Sequence, residues 1–202
     1  MSEALLVIDL QVDFCPGGAL AVPGGDAIVP GVNALIEQFE TVILTQDWHP
    51  AGHSSFASSH PDRSPYEMID MPYGPQVLWP DHCVQGGPGA LFHRDLNTDK
   101  ADLILRKGYN HAIDSYSAFF ENDKKTPTGL EGYLRTRDIE ELVLVGLATD
   151  FCVNFSAVDG AGLGFSVTVL EDLCRAIDLD GSLAAARDGM TQAGVALERG
   201  HG

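Results

Sequence analysis

Short apolar segments rich in β-branched and aliphatic residues recur along the chain and predict buried β-strands. They cover residues 5–10, 41–46, 103–105, 142–147 and 166–170, with a weaker sixth at 195–197. Between most of them, apolar residues recur at three- and four-residue spacing, which is typical of helices with one buried face. These predicted helices cover residues 26–39, 129–137, 151–163 and 179–190. The alternation predicts an α/β fold, a three-layer sandwich whose central, mostly parallel six-stranded sheet has helices on both faces.

One stretch, from about residue 48 to about residue 92, interrupts this alternation. It is rich in His, Pro, Gly and Ser, and it is too long for an ordinary connection between a strand and a helix. Long loops of this kind usually carry function in compact domains. The sequence contains no repeat, low-complexity tract or linker. We therefore expect residues 1–202 to form a single domain with one long insertion.

Composition and charge narrow the function further. The formal net charge is −17, from 29 acidic and 12 basic residues, which would repel nucleic acid and anionic lipid. The first residues contain no basic segment followed by an apolar run long enough for a signal peptide or a membrane span. The four cysteines form no CxxC pair, so reduced thiols are expected. We expect a soluble, cytoplasmic protein with no nucleic-acid or membrane partner.

Ionisable residues follow four of the predicted strands. Asp9 and Asp47 close the first two, Lys107 closes the third, and Cys152 comes just after the fourth. Ligands of open α/β sheets bind beyond the carboxyl ends of the strands, so these side chains are candidates for one site. A single Asp at a strand end is as often a turn residue. The coincidence of all four favours a site.

Cys152 lies where a strand passes through a turn of small residues into a helix. Unpaired N–H groups of a first helical turn, and a nearby Lys107 ammonium, would lower the pKa of the thiol and favour a nucleophile. The alternative is that Cys152 is a small buried apolar residue, which is the commoner role of a free cysteine. Cys15, Cys83 and Cys174 keep that interpretation.

Asp47 and His49 stand two residues apart, so on an extended backbone both side chains project from one face. A carboxylate and an imidazole suit Zn, Fe or Mn. His53, His60 or His82 could complete such a site, and His82 is favoured because a Trp-Pro-Asp turn precedes it. A histidine in a loop is nevertheless more often a surface residue than a ligand.

Five motifs together resemble those of a known family. They are VIDLQVDFCPGG (7–18), TQDWHP (45–50), WPDHCV (79–84), RKG (106–108) and GLATDFCV (146–153). The chain resembles the nicotinamidases of the isochorismatase-like hydrolases nearly from end to end. The second and third motifs are the metal motifs that mark the nicotinamidase branch. Residues 54–77 resemble the form of the family with an extended lid.

The resemblance implies roles for individual residues. Asp9, Lys107 and Cys152 would form the catalytic triad, and backbone N–H groups of Ala148 and Cys152 the oxyanion hole. A metal ion would be held by Asp47, His49 and His82 with waters, while His53 matches a ligand that only some relatives use. Phe14, Trp79 and Tyr116 match the walls of a flat aromatic pocket, and the Leu147–Ala148 peptide would be cis.

The activity implied by the resemblance is hydrolysis of nicotinamide to nicotinic acid and ammonia through a cysteine thioester, in NAD salvage. Pyrazinamide is expected as a further substrate. Two alternatives remain: a metal-free amide or carbamoyl hydrolase of the same superfamily, and a non-catalytic metal-binding or redox protein with Cys15, Cys83 and Cys152 as switch thiols. The sequence leaves open which of Zn, Fe or Mn is bound, and it is compatible with a homo-oligomer as well as with a monomer.

Overall fold

Six parallel strands form the central sheet, in the spatial order β5-β2-β1-β6-β7-β8. The computed structural model describes residues 2–200. Its strands are β1 (Ser2–Ile8), β2 (Val42–Asp47), β3 (Met68–Met71), β4 (Gly74–Val77), β5 (Leu103–Lys107), β6 (Ile139–Leu147), β7 (Ser166–Arg175) and β8 (Ala196–Glu198). Its α-helices are α1 (Val29–Ile36), α2 (Leu130–Arg135), α3 (Asn154–Gly162) and α4 (Ser182–Gln192).

Helices cover both faces of the sheet, which confirms the predicted fold class. Successive residues of β1 point to opposite faces and belong to two separate apolar cores. Leu5 and Val7 pack in the core that contains residues of α1, whereas Leu6 and Ile8 pack in the core that contains residues of α2, α3 and α4. No helix within residues 2–200 is long and apolar enough to cross a lipid bilayer.

The first predicted helix begins later than expected. Residues Gly25–Ile28 form a 3-10 turn, and α1 starts only at Val29. Pro30 explains the difference, because proline lacks an N–H and fits the first turn of a helix but breaks its interior. A helix that began at residue 26 would have placed Pro30 inside it.

The long insertion contains the antiparallel hairpin β3–β4, which the sequence pattern did not predict. Met68 pairs with Val77 and Met71 with Gly74. Each strand has only four residues, and Pro75 within the second is a residue that argues against a strand. The hairpin ends at the buried Gln76 and Val77, which attach the insertion to the rest of the molecule.

Candidate active site

The carboxyl ends of β5, β2, β1 and β6, four neighbouring strands, lie side by side at one end of the sheet. From β1 the chain continues outward to β2 on one side of the sheet, and from β6 it continues outward to β7 on the other side. The strand order therefore reverses between β1 and β6, and α/β sheets bind their ligands at such a switch point. Asp47 and Lys107 are direct register partners at the ends of β2 and β5. The structure brings Asp9, Asp47, Lys107 and Cys152 together at this point.

Lys107 lies at the centre of the cluster with its side chain fully buried. Its Nζ forms ion pairs with Asp9 Oδ2, at 2.7 Å, and with Asp47 Oδ1. The same Nζ lies 3.5 Å from Cys152 Sγ and donates a hydrogen bond to the Ser115 carbonyl at 2.9 Å. Burial alone would lower the pKa of this ammonium, but Asp47 and Asp9 outweigh it and raise the pKa well above its usual value. Lys107 therefore carries a permanent positive charge between two carboxylates.

Asp9 turns out of the strand just after β1, with a φ of 46°. Thr45 Oγ1 donates to Asp9 Oδ1 at 2.6 Å, while Oδ2 is ion-paired with Lys107 but receives no hydrogen bond of good geometry. One carboxylate oxygen of Asp9 lies within 4.8 Å of Cys152 Sγ. Burial raises the pKa of Asp9, and Lys107 opposes that rise only in part. A raised pKa makes this carboxylate a stronger base than a solvated one.

Cys152 lies in a π-helical turn, Thr149–Val153, that directly follows the cis peptide bond between Leu147 and Ala148. The Val153 N–H donates to the Ala148 carbonyl at 3.1 Å. Burial raises the pKa of the Cys152 thiol well above its usual value, although Lys107 lowers it. This direction is opposite to the one that the sequence led us to expect, because complete burial outweighs the neighbouring ammonium. Burial therefore favours the protonated form of the thiol.

Asp47, His49 and His82 form a second cluster beside the first. Asp47 Oδ2 is 3.5 Å from His49 Nε2 and 3.8 Å from His82 Nε2. His49 Nδ1 bonds to the Gly108 carbonyl and His82 Nδ1 to the Pro80 carbonyl, each at 2.8 Å. Because each Nδ1–H is donated to a carbonyl, both Nε2 lone pairs face Asp47.

This set of donors fits a divalent metal ion. One carboxylate oxygen and two imidazole nitrogens, with their ligand atoms within 4.8 Å of one another, suit Zn, Fe or Mn. Burial opposes ionisation of Asp47, but Lys107 and His49 outweigh it and hold its pKa well below the usual value. Gly108 has a φ of +68°, and a Cβ there would lie 2.5 Å from His49 Cε1. Only glycine therefore allows this close approach to the ring.

His53 lies next to His49, with 4.6 Å between the ring centroids, but both its ring nitrogens are engaged elsewhere. Nδ1 accepts the Ser55 N–H at 3.1 Å, and Nε2 lies 2.8 Å from the Asn110 carbonyl. An Nδ1 that accepts a backbone N–H implies that Nε2 carries the proton and donates it to Asn110. His60 Nε2 likewise bonds to the Ser54 carbonyl.

Aromatic side chains wall a cavity above Cys152. Phe14, Trp79 and Tyr116, the residues that the family resemblance indicated, all line it. The Trp79 indole N–H donates to the Tyr116 hydroxyl at 3.0 Å, which fixes the two rings relative to each other. The cavity has a volume of ≈ 20 Å³, which is room for about one water molecule. The cavity is therefore narrow between its aromatic walls.

Several residues of the site were not found from the sequence. Phe151 packs edge-on against Trp79, with 4.9 Å between the ring centroids, and Asp114 also lines the cavity. Asp150 accepts the N–H groups of Ile177 and Asp178 at 3.0 and 2.7 Å. It thereby attaches the segment after β7, and with it the cavity wall at Ile177, to the turn that carries Cys152. The sequence did contain a signal for Asp150, because it stands two residues before the candidate nucleophile Cys152. For Asp114 the sequence contains no comparable signal.

The remaining cysteines do not have the environment of redox-switch thiols. Cys15, Cys83, Cys152 and Cys174 are all free and buried. Burial raises the pKa of Cys15 to about 11 and that of Cys174 to about 12, and it raises the pKa of Cys83 well above its usual value. Sensor thiols are exposed and have a lowered pKa. These properties disfavour the redox alternative.

This fold and this site define a hydrolase of the α/β class that has a candidate thiol nucleophile beside a candidate metal centre. The model of the isochorismatase domain matches residues 3–199. The chain belongs to the isochorismatase family.

The chain is similar in sequence to a nicotinamidase of Acinetobacter baylyi. The two are 52% identical over 192 residues, which cover 95% of this chain and 90% of the relative. It is similar in structure to a nicotinamidase and pyrazinamidase of Acinetobacter baumanii, with 52% identity, a TM-score of 0.97, and coverage of 98% of this chain and 96% of that one.

Two further solved structures contain ligands. A protein of L. infantum in complex with nicotinate is 41% identical, with a TM-score of 0.85 and coverage of 98% of this chain and 92% of that one. A pyrazinamidase of Pyrococcus horikoshii in complex with zinc is 34% identical, with a TM-score of 0.79 and coverage of 99% of this chain and 100% of that one.

Proposed function

We propose that this protein is a nicotinamidase, which hydrolyses nicotinamide to nicotinic acid and ammonia with Cys152 as the nucleophile. The observation that carries the proposal is the position of Cys152, 3.5 Å from Lys107 and within 4.8 Å of Asp9, under an aromatic-walled cavity with a metal-type cluster at its side. The high identity to a nicotinamidase supports the same activity.

Acylation begins with proton transfer from the Cys152 thiol to Asp9. The raised pKa of Asp9, caused by burial, makes this carboxylate a stronger base than a solvated one. Lys107 keeps its charge throughout and stabilises the thiolate as it attacks the carboxamide carbon. Protonated Asp9 then donates its proton to the departing ammonia, and a thioester between Cys152 and the acyl group remains.

Deacylation repeats the same steps with water. Asp9 takes a proton from the water that attacks the thioester. The carbon–sulfur bond then breaks, protonated Asp9 returns its proton to Cys152 Sγ, and the acid product is released. In both halves the negative charge on the carbonyl oxygen is stabilised by the backbone N–H groups of Ala148 and Cys152, which form the proposed oxyanion hole. One such donor is worth about 2.7–4 kcal/mol in related chemistry.

Substrate orientation comes from the aromatic wall and the metal cluster. A divalent ion held by Asp47 Oδ2, His49 Nε2 and His82 Nε2, with Zn, Fe or Mn as candidates, would act as a Lewis acid toward the pyridine nitrogen of the substrate. Phe14, Trp79 and Tyr116 would hold the ring flat, which directs its carboxamide toward Cys152. Pyrazinamide has the same ring nitrogen and carboxamide and is a second substrate in this proposal.

The product and the thiol chemistry suggest a cellular context. Nicotinic acid is a precursor for pyridine nucleotides, so the reaction would belong to NAD salvage. Cys15, Cys83, Cys152 and Cys174 are all free, which is typical of a reducing compartment and favours the cytoplasm.

Hydrolysis of nicotinamide, compared with that of benzamide, tests this function. Ammonia and nicotinate should form from nicotinamide, and kcat/KM for benzamide should be lower, because benzamide has the same ring size and carboxamide but no ring nitrogen. Ammonia release and chromatography of the acid measure both reactions. Equal kcat/KM values for nicotinamide and benzamide would show that the ring nitrogen does not contribute to substrate recognition. An absence of nicotinate, with another amide or carbamoyl compound hydrolysed, would favour the metal-free alternative.

Replacement of His82 by alanine should weaken metal binding by more than about 100-fold. Loss of a residue that only supports a ligand costs about 10- to 100-fold in metal affinity, and His82 is a proposed ligand itself. His53→Asn is the matched control, because His53 is a buried histidine of the same insertion whose nitrogens are already bonded to Ser55 and Asn110. It should keep one ion per chain. Elemental analysis and titration with Zn²⁺ measure both, and an equal loss in His53→Asn would make His53 a fourth ligand.

A further inference from the structure

Gln11 is a fully buried amide that the chemistry described above does not use. Its Nε2 donates to the carbonyls of Asp47 and Ala90, each at 2.9 Å. Its Oε1 accepts the Asp47 N–H at 2.8 Å. The side-chain amide thus bonds to both backbone polar groups of Asp47.

The pairing of β1 with β2 explains why Asp47 needs such a partner. Val7 pairs with Leu44 in a parallel ladder. If the even spacing of that ladder continued, the Asp9 N–H would bond to the Thr45 carbonyl and the Asp9 carbonyl would accept the Asp47 N–H.

The chain departs from the ladder at this point. Asp9 has a φ of 46°, its N–H donates to Thr45 Oγ1 at 3.0 Å, and its carbonyl accepts the Gln11 N–H at 2.8 Å. Strand β1 therefore ends before it can pair with Asp47. Buried backbone groups are costly when they are left without a hydrogen bond. The Gln11 side-chain amide supplies the bond that the β1 backbone would otherwise have made to the Asp47 N–H.

We propose that Gln11 is a positioning residue that holds Asp47 where β1 leaves the sheet. The departure of β1 allows the Asp9 carboxylate to reach Lys107, and the Gln11 amide keeps the end of β2 in strand geometry in spite of that departure. Asp47 must be held accurately, because Oδ1 forms the ion pair with Lys107 while Oδ2 faces His49 and His82. One amide thereby supports the triad and the metal cluster together. This inference rests on the proposed metal site.

The test is the metal affinity of Gln11→Met, a change that keeps the side-chain volume but removes all three hydrogen bonds. We expect the dissociation constant for Zn²⁺ to rise by about 10- to 100-fold, with a fall in kcat that saturating metal does not fully restore. Gln46→Met is the matched control. Gln46 Nε2 donates to the same Ala90 carbonyl at 2.8 Å, and its Oε1 accepts from Arg106, so its loss leaves the Asp47 backbone bonded to Gln11.

An unchanged dissociation constant in folded Gln11→Met, or an equal rise in Gln46→Met, would overturn the proposal and leave Gln11 a purely structural residue. A wild-type protein that binds no Zn²⁺ would instead overturn the proposed metal site. Should Gln11→Met fail to fold, the bond is measurable in the wild-type protein by NMR, as a scalar coupling between the Asp47 amide nitrogen and the Gln11 side-chain carbonyl carbon. Its presence supports the proposal, and its absence would overturn it.

Discussion

Replacement of Cys152 by alanine is expected to reduce kcat for nicotinamide by about 10⁴-fold or more, the range seen when a nucleophile is removed from a hydrolase triad. In the proposed mechanism the thiol is the group from which Asp9 accepts a proton, and among residues 2–200 Cys152 is the cysteine to which Lys107 donates a hydrogen bond. Steady-state kinetics on the metal-loaded variant measure the loss. Its metal content should equal that of the wild type, because Sγ is not one of the three proposed ligands.

Cys174→Ala is the matched control for this loss. Cys174 is also a free, buried cysteine, and the pKa of its thiol is likewise raised by burial, to about 12. Within residues 2–200 no lysine donates a hydrogen bond to Cys174, so the variant should retain turnover. Turnover by Cys152→Ala within a few-fold of wild type would refute the covalent mechanism. Loss of metal together with activity would indicate that Cys152 has a structural role.

Lys107→Met should both inactivate the protein and destabilise it, by about 3–5 kcal/mol, the usual cost of leaving a buried charge without its partner. The Lys107 ammonium is ion-paired with two buried carboxylates, those of Asp9 and Asp47. Without it, neither carboxylate has a nearby lysine or arginine in the part of the chain that the structure describes. Urea denaturation measures the stability, and ammonia release measures the activity.

The double variant Lys107→Met, Asp9→Asn separates the two effects. Asp9→Asn removes one of the two carboxylates that lose their lysine partner, so the double variant should recover part of the lost free energy of unfolding while remaining inactive. Stability losses that simply add would mean that Lys107 and Asp9 do not interact in solution. Activity in either variant would remove Lys107 from the mechanism.

Much of this site could be predicted because it lies at the ends of buried parallel strands. Such strands appear in a sequence as continuous apolar runs, so a polar residue directly after one is conspicuous, as with Asp9, Asp47 and Lys107. The relation between these residues could not be predicted in the same way. The ion pair of Lys107 with Asp47 depends on β5 being the neighbour of β2, and strand order is not encoded in any local pattern.

Burial accounts for most of what the sequence analysis missed. The helix start and Lys107 indicated a lowered pKa for Cys152, but complete burial raises it. For His53, the structure adds bonds to Ser55 and Asn110 that no local pattern shows, and its role as a fourth ligand stays a prediction. The hairpin β3–β4 was hidden by its short strands and by Pro75. In each case the structure adds a tertiary contact that a local sequence pattern does not contain.

A crystal structure of the metal-loaded protein with pyridine-3-carbaldehyde, the aldehyde analogue of nicotinamide, tests the central claim most directly. We predict a covalent bond between the aldehyde carbon and Cys152 Sγ, with Asp9 and Lys107 in contact with that sulfur. The ring nitrogen should face the ion held by Asp47, His49 and His82. An aldehyde bound in the cavity without a bond to Cys152, or a Cys152 side chain turned away from Asp9 and Lys107, would contradict the proposed mechanism.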